Sequence, residues 1–120
     1  MNWLAVFIGG GLGSLSRFFV SFLITGNFKH VKPESTLIAN LLATVVLGVL
    51  LYIFKEKIDT STNMKLFLIT GFCGGFSTFS TFSYETFELL KHYNIMYGIF
   101  NILISVALAI FALFIIEKFV

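Results

Sequence analysis

Four long apolar segments, separated by short polar ones, make up most of this chain. The polar separators lie at about 25–35, 55–65 and 91–94. A helix needs about 20 mostly apolar residues to cross a hydrocarbon core of about 30 Å. The pattern therefore predicts an all-α integral membrane protein with four transmembrane helices, at about 3–24, 35–54, 65–90 and 95–117, in one domain covering residues 1–120.

The third apolar segment is longer than a single crossing requires. As one continuous helix it would extend about 40 Å, against a hydrocarbon core of about 30 Å. Gly74 and Gly75 lie near its middle, and glycine weakens a helix. We therefore expect the third helix to be broken near residues 74–78, with these two glycines as the natural place. Carbonyl groups freed by such a break can bind a cation, and freed N–H groups can meet other partners.

A three-residue repeat of phenylalanine and hydroxyl residues follows the glycines. From Phe76 to Tyr84 it reads Phe-Ser-Thr, Phe-Ser-Thr, Phe-Ser-Tyr. Three residues turn an α-helix by about 300°, so the rings form one slowly drifting stripe and the hydroxyls form two stripes beside it. Rings beside hydroxyls suggest a path for an ion. Glu85 continues the stripe of Thr78 and Thr81, and it belongs either to that path or to the solvated edge of the membrane.

Polar residues inside the other spans need partners, because an unsatisfied polar group in hydrocarbon costs several kcal/mol. Arg17 either snorkels to the interface or places a fixed positive charge at the mouth of a pathway. Asn40, one turn before Thr44, either forms a hydrogen bond between helices or donates to a passing anion. Asn101 and Ser105, also one turn apart, either join helices or contact the ion.

Composition supports a membrane protein and excludes several other classes. Hydrophobic residues make up 58% of the chain and charged residues 12%, against roughly 45–50% and about 25% in ordinary globular domains. The single cysteine, Cys73, excludes an internal disulfide. A net charge of +2 with scattered basic residues gives no reason to expect nucleic acid. No nucleophile, base and orienting group can be assembled, so we expect no enzymatic activity, and we expect His30 to be a solvated surface residue.

Basic residues are divided evenly between the two sides of the predicted bundle. One side receives Lys55, Lys57, Lys65 and Lys118, and the other receives Arg17, Lys29, Lys32 and Lys91. The excess of lysine and arginine that usually fixes orientation is absent. We therefore expect the chain to insert both ways and to pair with an inverted copy of itself. Such a pair would bring two breaks together near the midplane, where their carbonyls could hold one Na⁺.

The chain resembles the Fluc/CrcB fluoride channels over nearly its whole length. The most specific match is G-F-C-G-G-F-S-T-F-S-T-F-S-x-E at 71–85, and G-G-x-x-G-x-x-x-R is present at 9–17. In the second helix the N-x-x-G pattern of the family begins at Asn40 but has Ala43 in place of glycine. Ser77-Thr78 stands where members often have Thr-Thr.

This resemblance implies an antiparallel, dual-topology dimer with two pores, in the inner or plasma membrane of a prokaryotic cell. The implied activity is passive export of fluoride from the cytoplasm. The implied pathway has Phe79 and Phe82 as rings facing the ion, and the wider set of candidate pathway residues is Asn40, Ser80, Thr81, Ser105, Asn101 and Glu85, with Arg17 as a vestibule charge. Backbone carbonyls of Gly74 and Ser77 are implied to bind a structural Na⁺ at the dimer centre.

Two other functions are compatible with four short spans. A small dual-topology multidrug or cation exporter would need a membrane-embedded acid in the first helix for proton exchange, and none occurs between Met1 and Ile24. A non-transporting membrane scaffold would use the Ser/Thr/Phe repeat only to hold helices together. Alanine at Ser80 and Thr81 separates these functions, because a scaffold would lose assembly and a pore would lose flux.

Overall fold

A computed structural model describes residues 1–26, 32–56 and 61–119, and every regular element in these ranges is helical. The helices are α1 (Asn2–Thr25), α2 (Pro33–Glu56), α3 (62–76), α4 (Phe79–His92) and α5 (Ile95–Phe119). Four stretches are long and apolar enough to span a membrane, namely Asn2–Thr25, Pro33–Lys55, Thr62–His92 and Ile95–Phe119. The prediction of an all-helical chain with four spans is confirmed. The predictions for Lys29, His30 and Lys57 concern residues outside the described ranges.

The helices begin and end at residues whose backbone chemistry favours a boundary. Gly26 follows α1 in the left-handed conformation, at φ 70°, which glycine adopts without a steric penalty. Pro33 opens α2, where its missing N–H costs nothing. The side chains of Ser61 and Asn94 accept hydrogen bonds from backbone N–H groups in the first turns of α3 and α5. Local sequence therefore accounts for most of the boundaries.

Glycines allow α1 and α3 to pack with their backbones in contact. Gly9 and Gly13 are buried in α1. A Cβ atom at Gly13 would overlap the carbonyl oxygen of Phe72, and one at Gly75 would overlap the carbonyl oxygen of Gly10. Close approach of this kind is how small residues hold transmembrane helices together. The third span is thus fixed against the first just before its repeat begins.

The first part of the third span contains a π-helix that the sequence pattern did not predict. It covers Leu66–Cys73, within α3. The carbonyl oxygens that meet the Cβ positions of Gly9 and Gly13 belong to Phe67 and Phe72, five residues apart, whereas the two glycines are four residues apart. A π-helix has more residues per turn than an α-helix, so one wide turn of α3 matches one ordinary turn of α1.

The third span changes conformation at Ser77 and Thr78. Their φ and ψ angles are −83° and 157° at Ser77 and −147° and 123° at Thr78, both extended. Gly74 and Gly75, where we expected the helix to break, are helical instead. The expectation based on glycine propensity was wrong for these two residues. The extended pair is held by a side chain of α2, as described below.

The buried centre of the chain is small. Ala39, Ala43 and Phe76 are buried, and Val20 and Phe72 pack against them. Most large apolar side chains of α1 and α5 are exposed on this single chain. In a membrane protein those surfaces face lipid or another chain, because lipid tails are as apolar as the side chains.

Candidate ion pathway

Asn40 of α2 holds the extended backbone of Thr78 with both ends of its amide. The Nδ2 group donates to the carbonyl oxygen of Thr78 at 3.1 Å, and the Oδ1 atom accepts from the N–H of Thr78 at 2.7 Å. The amide therefore pairs with the N–H and carbonyl groups of Thr78 in the way that the backbone of a neighbouring β-strand would. The structure shows the hydrogen bond between helices, and donation from Asn40 to an anion stays a prediction.

Two carbonyl groups beside this pairing lack their usual helical donors. In an unbroken helix the carbonyl of Gly74 would accept from the N–H of Thr78, but that N–H donates to Asn40. The carbonyl of Ser77 would accept from the N–H of Thr81, but that N–H donates to Thr78 Oγ1 at 3.2 Å. Neither of these two hard oxygen atoms, near the middle of the third span, keeps the donor that it would have in an unbroken helix.

Arg17 of α1 contacts the backbone just before the extended residues. Its Nε group donates to the carbonyl oxygen of Gly75 at 3.2 Å, in a partly buried position. This contact helps to offset the cost of a guanidinium within a spanning helix. Its role as a vestibule charge stays a prediction.

A cavity of about 350 Å³ lies beside the extended residues. Four of the predicted pathway residues line this cavity, namely Asn40, Phe79, Phe82 and Ser105. The complete lining consists of Asn40, Thr44, Ser77, Thr78, Phe79, Phe82, Ser105, Val106, Ala109 and Ile110. Half of these ten residues carry a hydroxyl or amide group, although the surface that the cavity exposes is mostly apolar.

Two phenylalanine rings form the aromatic side of this cavity. The ring centroids of Phe79 and Phe82 are 6.0 Å apart, and the ring planes are tilted by 42°. Phe79 leaves 79% of its surface exposed on this single chain. An aromatic edge carries partial positive charge, so rings in this position can present favourable C–H groups to an anion.

Ser105 of α5 faces the rings from another helix. Its Oγ atom is buried and has no hydrogen-bond partner within the part of the chain that the structure describes. A hydroxyl in such surroundings needs a ligand, a water molecule or a neighbouring chain, because an unmade hydrogen bond is costly. Ser105 is therefore a candidate donor to an ion at this cavity.

Ser80 and Thr81 do not line the cavity of this single chain. Ser80 is exposed, and its Oγ atom lies 3.3 Å from Thr78 Oγ1. Thr81 is half-buried, and its backbone N–H is capped by the hydroxyl of Thr78. Both side chains follow Phe79 in the first turn of α4, so they lie beside the rings along the helix.

Glu85 is buried and not solvated on this chain, and its place in the ion path stays a prediction. Only 7% of its surface is exposed. Thr36 Oγ1 donates to Glu85 Oε1 at 2.7 Å, while Oε2 is buried without a partner among the described residues. The sequence analysis missed Thr36. It precedes Asn40 by one helical turn and shares its face, which was the available signal.

Asn101 lies outside the cavity that contains the rings. Its Nδ2 group donates to Thr86 Oγ1 at 2.9 Å. It lines a separate groove of about 370 Å³ with residues of α2, α4 and α5, among them Glu34, Leu89 and Tyr97. The hydrogen bond of Asn101 therefore joins α5 to α4. A direct contact between Asn101 and an ion stays a prediction.

The comparisons with known proteins match the chain through all four spans. A family model described as CrcB-like protein, Camphor Resistance (CrcB), matches residues 4–116. A protein of Pyrococcus horikoshii named fluoride-specific ion channel FluC is 45% identical over 107 residues, which cover 89% of this chain and 85% of that protein. The protein of the same name from Clostridium perfringens is 44% identical over 102 residues, covering 85% and 80%. That of Pyrococcus furiosus is 42% identical over 109 residues, covering 91% and 87%.

Proposed function

This chain belongs to the CrcB-like family, and we propose that it forms a passive, fluoride-selective ion channel rather than an enzyme. The observation that carries the proposal is the cavity lined by Phe79, Phe82 and Ser105, whose buried hydroxyl has no hydrogen-bond partner among the described residues. Relatives of this chain are named as fluoride-specific ion channels. The chain supplies the aromatic and hydroxyl groups that such a pathway needs.

Fluoride is small and strongly hydrated, so a selective pore must replace its water with donors that bind it without trapping it. Ser105 supplies a hydroxyl, and the hydroxyls of Ser80 and Thr81 continue the polar track along α4. The edges of Phe79 and Phe82 supply weaker, partially positive contacts and restrict the width of the path. None of the described residues that line this cavity carries a side-chain cation, so the pore can attract the anion without binding it permanently.

The functional unit is an antiparallel, dual-topology homodimer with two pores. Its support is the even distribution of basic residues and the exposure of the pathway on a single chain. Phe79 exposes 79% of its surface, and Gly74 and Ser80 beside it are also exposed. A second, inverted chain would cover these groups and enclose the path. The interruption of the third span at Ser77 and Thr78 then lies at the centre of the dimer.

A structural Na⁺ at that centre would be held by the backbone carbonyls of Gly74 and Ser77. Both carbonyls have lost their usual helical donors to Asn40 and to Thr78 Oγ1. Uncharged carbonyl oxygens are hard ligands of the kind that suit an alkali cation. Among the described residues, a Cβ atom at Gly74 would meet only the carbonyl oxygen of Ile69, at 4.0 Å, so the space beside Gly74 is open. The cation would attract anions electrostatically without adding a charged side chain to the pore.

In the cell, the channel lies in the inner or plasma membrane of a prokaryote and exports fluoride from the cytoplasm to relieve its toxicity. Passive movement follows the electrochemical gradient of fluoride and needs no nucleotide. The rival function of a multidrug or cation exporter lacks support, because no acidic residue lies between Met1 and Ile24. The rival function of a scaffold predicts that Ser80→Ala and Thr81→Ala change assembly without changing an ion flux.

Fluoride release from loaded liposomes tests this proposal. Purified protein is reconstituted in vesicles containing potassium fluoride, valinomycin is added to carry potassium, and a fluoride-selective electrode records the external concentration. We expect rapid fluoride release and little chloride release from matched chloride-loaded vesicles. If vesicles that contain the folded protein release fluoride no faster than protein-free vesicles, the proposed channel function is refuted.

A further inference from the structure

We propose that Thr86 and Asn101 are positioning residues, which hold the backbone of Phe82 and so set the place of its ring in the pathway. This inference rests on the proposed channel function and adds two side chains that do not line the cavity. In this inference Asn101 acts on the pathway through its hydrogen bond to Thr86 and does not contact the ion directly.

The three residues form a directed chain of hydrogen bonds. Thr86 Oγ1 donates to the carbonyl oxygen of Phe82 at 2.8 Å, and it accepts from Asn101 Nδ2 at 2.9 Å. A hydroxyl carries one proton, so once that proton is given to Phe82, the amide of Asn101 must be the donor. The direction of both bonds is therefore fixed by the chemistry of the groups.

Burial strengthens this chain and makes its loss expensive. Thr86 is only 6% exposed. Hydrogen bonds in a low-dielectric interior are electrostatically stronger than in water, and linked bonds polarise each other. A threonine that bonds back to the carbonyl four residues earlier also bends its helix slightly. The hydroxyl of Thr86 thereby acts on the turn of α4 that carries the Phe82 ring.

The second half of the chain fixes α4 against α5, next to the cavity. Asn101 bonds to Thr86 one turn before Ser105, which faces the cavity. One turn before Thr86 on α4 is Phe82, which lines the same cavity. The separation between the Phe82 ring and the Ser105 hydroxyl is therefore set by a bond one turn away. A shift there changes the width of the path without removing any group that lines it.

A role in packing alone makes a different prediction. If the two bonds only hold α4 and α5 together, their loss lowers stability or assembly, while channels that still assemble keep the selectivity of the original protein. If they position Phe82, the loss changes the ratio of fluoride to chloride permeability in assembled channels. Selectivity is thus the readout that separates the two roles.

The experiment compares four single variants and one double variant with the original protein, by fluoride and chloride efflux from liposomes and by size-exclusion chromatography. Thr86→Val keeps the side-chain shape and removes the hydroxyl, Thr86→Ser keeps the hydroxyl, and Asn101→Leu removes the amide. Ser16→Ala is the matched control, because Ser16 Oγ makes the same kind of bond, to the carbonyl of Leu12 at 2.9 Å, on a helix that does not line the cavity.

We expect Thr86→Val to lower the fluoride-to-chloride ratio by about two- to tenfold, the effect of one buried hydrogen bond. Asn101→Leu should lower the fluoride-to-chloride ratio less. Thr86→Ser and Ser16→Ala should leave this ratio unchanged. Because the bonds act in series, the Thr86→Val, Asn101→Leu double variant should match Thr86→Val within about twofold. If Thr86→Val does not assemble, the contrast between Asn101→Leu and Thr86→Ser decides the question.

An unchanged ratio in Thr86→Val, or in Asn101→Leu where Thr86→Val fails to assemble, would overturn the inference. Failure of both variants to assemble would overturn it also, since it would show a role in packing. If the original protein releases no fluoride, the proposed function is wrong and this inference fails with it. If the original protein releases fluoride normally and the variants keep its fluoride-to-chloride ratio, this inference is wrong, but the proposed function is not contradicted.

Discussion

Asn40 and Thr78 form a two-point hydrogen bond that replaces helical hydrogen bonding in the middle of the third span. The amide accepts from the N–H of Thr78 at 2.7 Å and donates to its carbonyl at 3.1 Å. Extended backbone inside a membrane is tolerated only where its polar groups are satisfied by protein or water. One side chain of α2 thus permits the conformation that releases the carbonyls of Gly74 and Ser77 and places Phe79 at the start of a new helix.

Replacing Asn40 by leucine should destabilise the protein and abolish most of the fluoride flux. The N–H and carbonyl groups of Thr78 would both lose a partner, and each unsatisfied buried group costs about 1–3 kcal/mol. Thermal unfolding in detergent and fluoride efflux measure the two effects. Asn63→Leu makes the same change at an exposed position of α3, and it should alter neither the melting temperature nor the fluoride flux. Equal stability and flux in Asn40→Leu would contradict the importance of the pair.

Replacing Phe79 or Phe82 by isoleucine should lower the fluoride flux about tenfold or more while leaving the size of the assembled protein unchanged. An aliphatic side chain has no partially positive edge to offer the anion, and loss of about 1.4 kcal/mol corresponds to a tenfold change in rate. Phe7→Ile is a suitable control, because Phe7 is 78% exposed on this chain and Phe79 is 79% exposed, yet Phe7 lies away from the cavity. Efflux and chromatography are compared. Unchanged flux in both pathway variants would remove the rings from the mechanism.

Gly13→Ala should prevent normal packing of α1 on α3, whereas Gly11→Ala should be neutral. A Cβ atom at Gly13 would overlap the backbone of Phe72, but one at Gly11 has nothing within 4 Å. Overpacking of this kind costs about 1–3 kcal/mol or more when backbone must move. Yield of correctly sized protein and its melting temperature test the difference. Similar behaviour of the two variants would contradict the close contact between these helices.

Thr36→Val should destabilise the chain, because it removes the hydrogen bond to the buried carboxyl of Glu85. The expected cost is about 1–3 kcal/mol, and Thr36→Ser should recover most of it by restoring the hydroxyl. Thr70→Val, at an exposed position of α3, serves as the control. Thermal unfolding in detergent is the measurement. If Thr36→Val and Thr70→Val melt alike, the bond between Thr36 and Glu85 contributes nothing to stability.

The parts of the fold that depend on local sequence could be predicted. Apolar runs of sufficient length gave the four spans, and the Phe-Ser-Thr repeat indicated Phe79 and Phe82 as neighbours on one face. The distribution of polar residues in apolar surroundings also singled out Asn40 and Ser105, because a lone amide or hydroxyl in a span requires a partner wherever the helices pack.

The parts that depend on contacts between distant residues could not be predicted. The extended conformation occurs at Ser77 and Thr78, not at the glycines, because its position is set by Asn40, 38 residues away in sequence. Gly75 serves close packing against Gly10 instead. Glu85 is buried because Thr36 of another helix reaches it. Propensity alone cannot identify such partners, since tertiary contacts override it.

The most direct test of the channel is the reversal potential of the reconstituted protein in a planar bilayer, with a tenfold fluoride gradient and equal chloride on both sides. A fluoride-selective passive pore should reverse close to the fluoride equilibrium potential, about 59 mV in magnitude, and the value should not depend on a proton gradient. A reversal potential near zero would mean that chloride, and not fluoride, carries most of the current. That result, or the absence of any current from correctly assembled protein, would contradict the account.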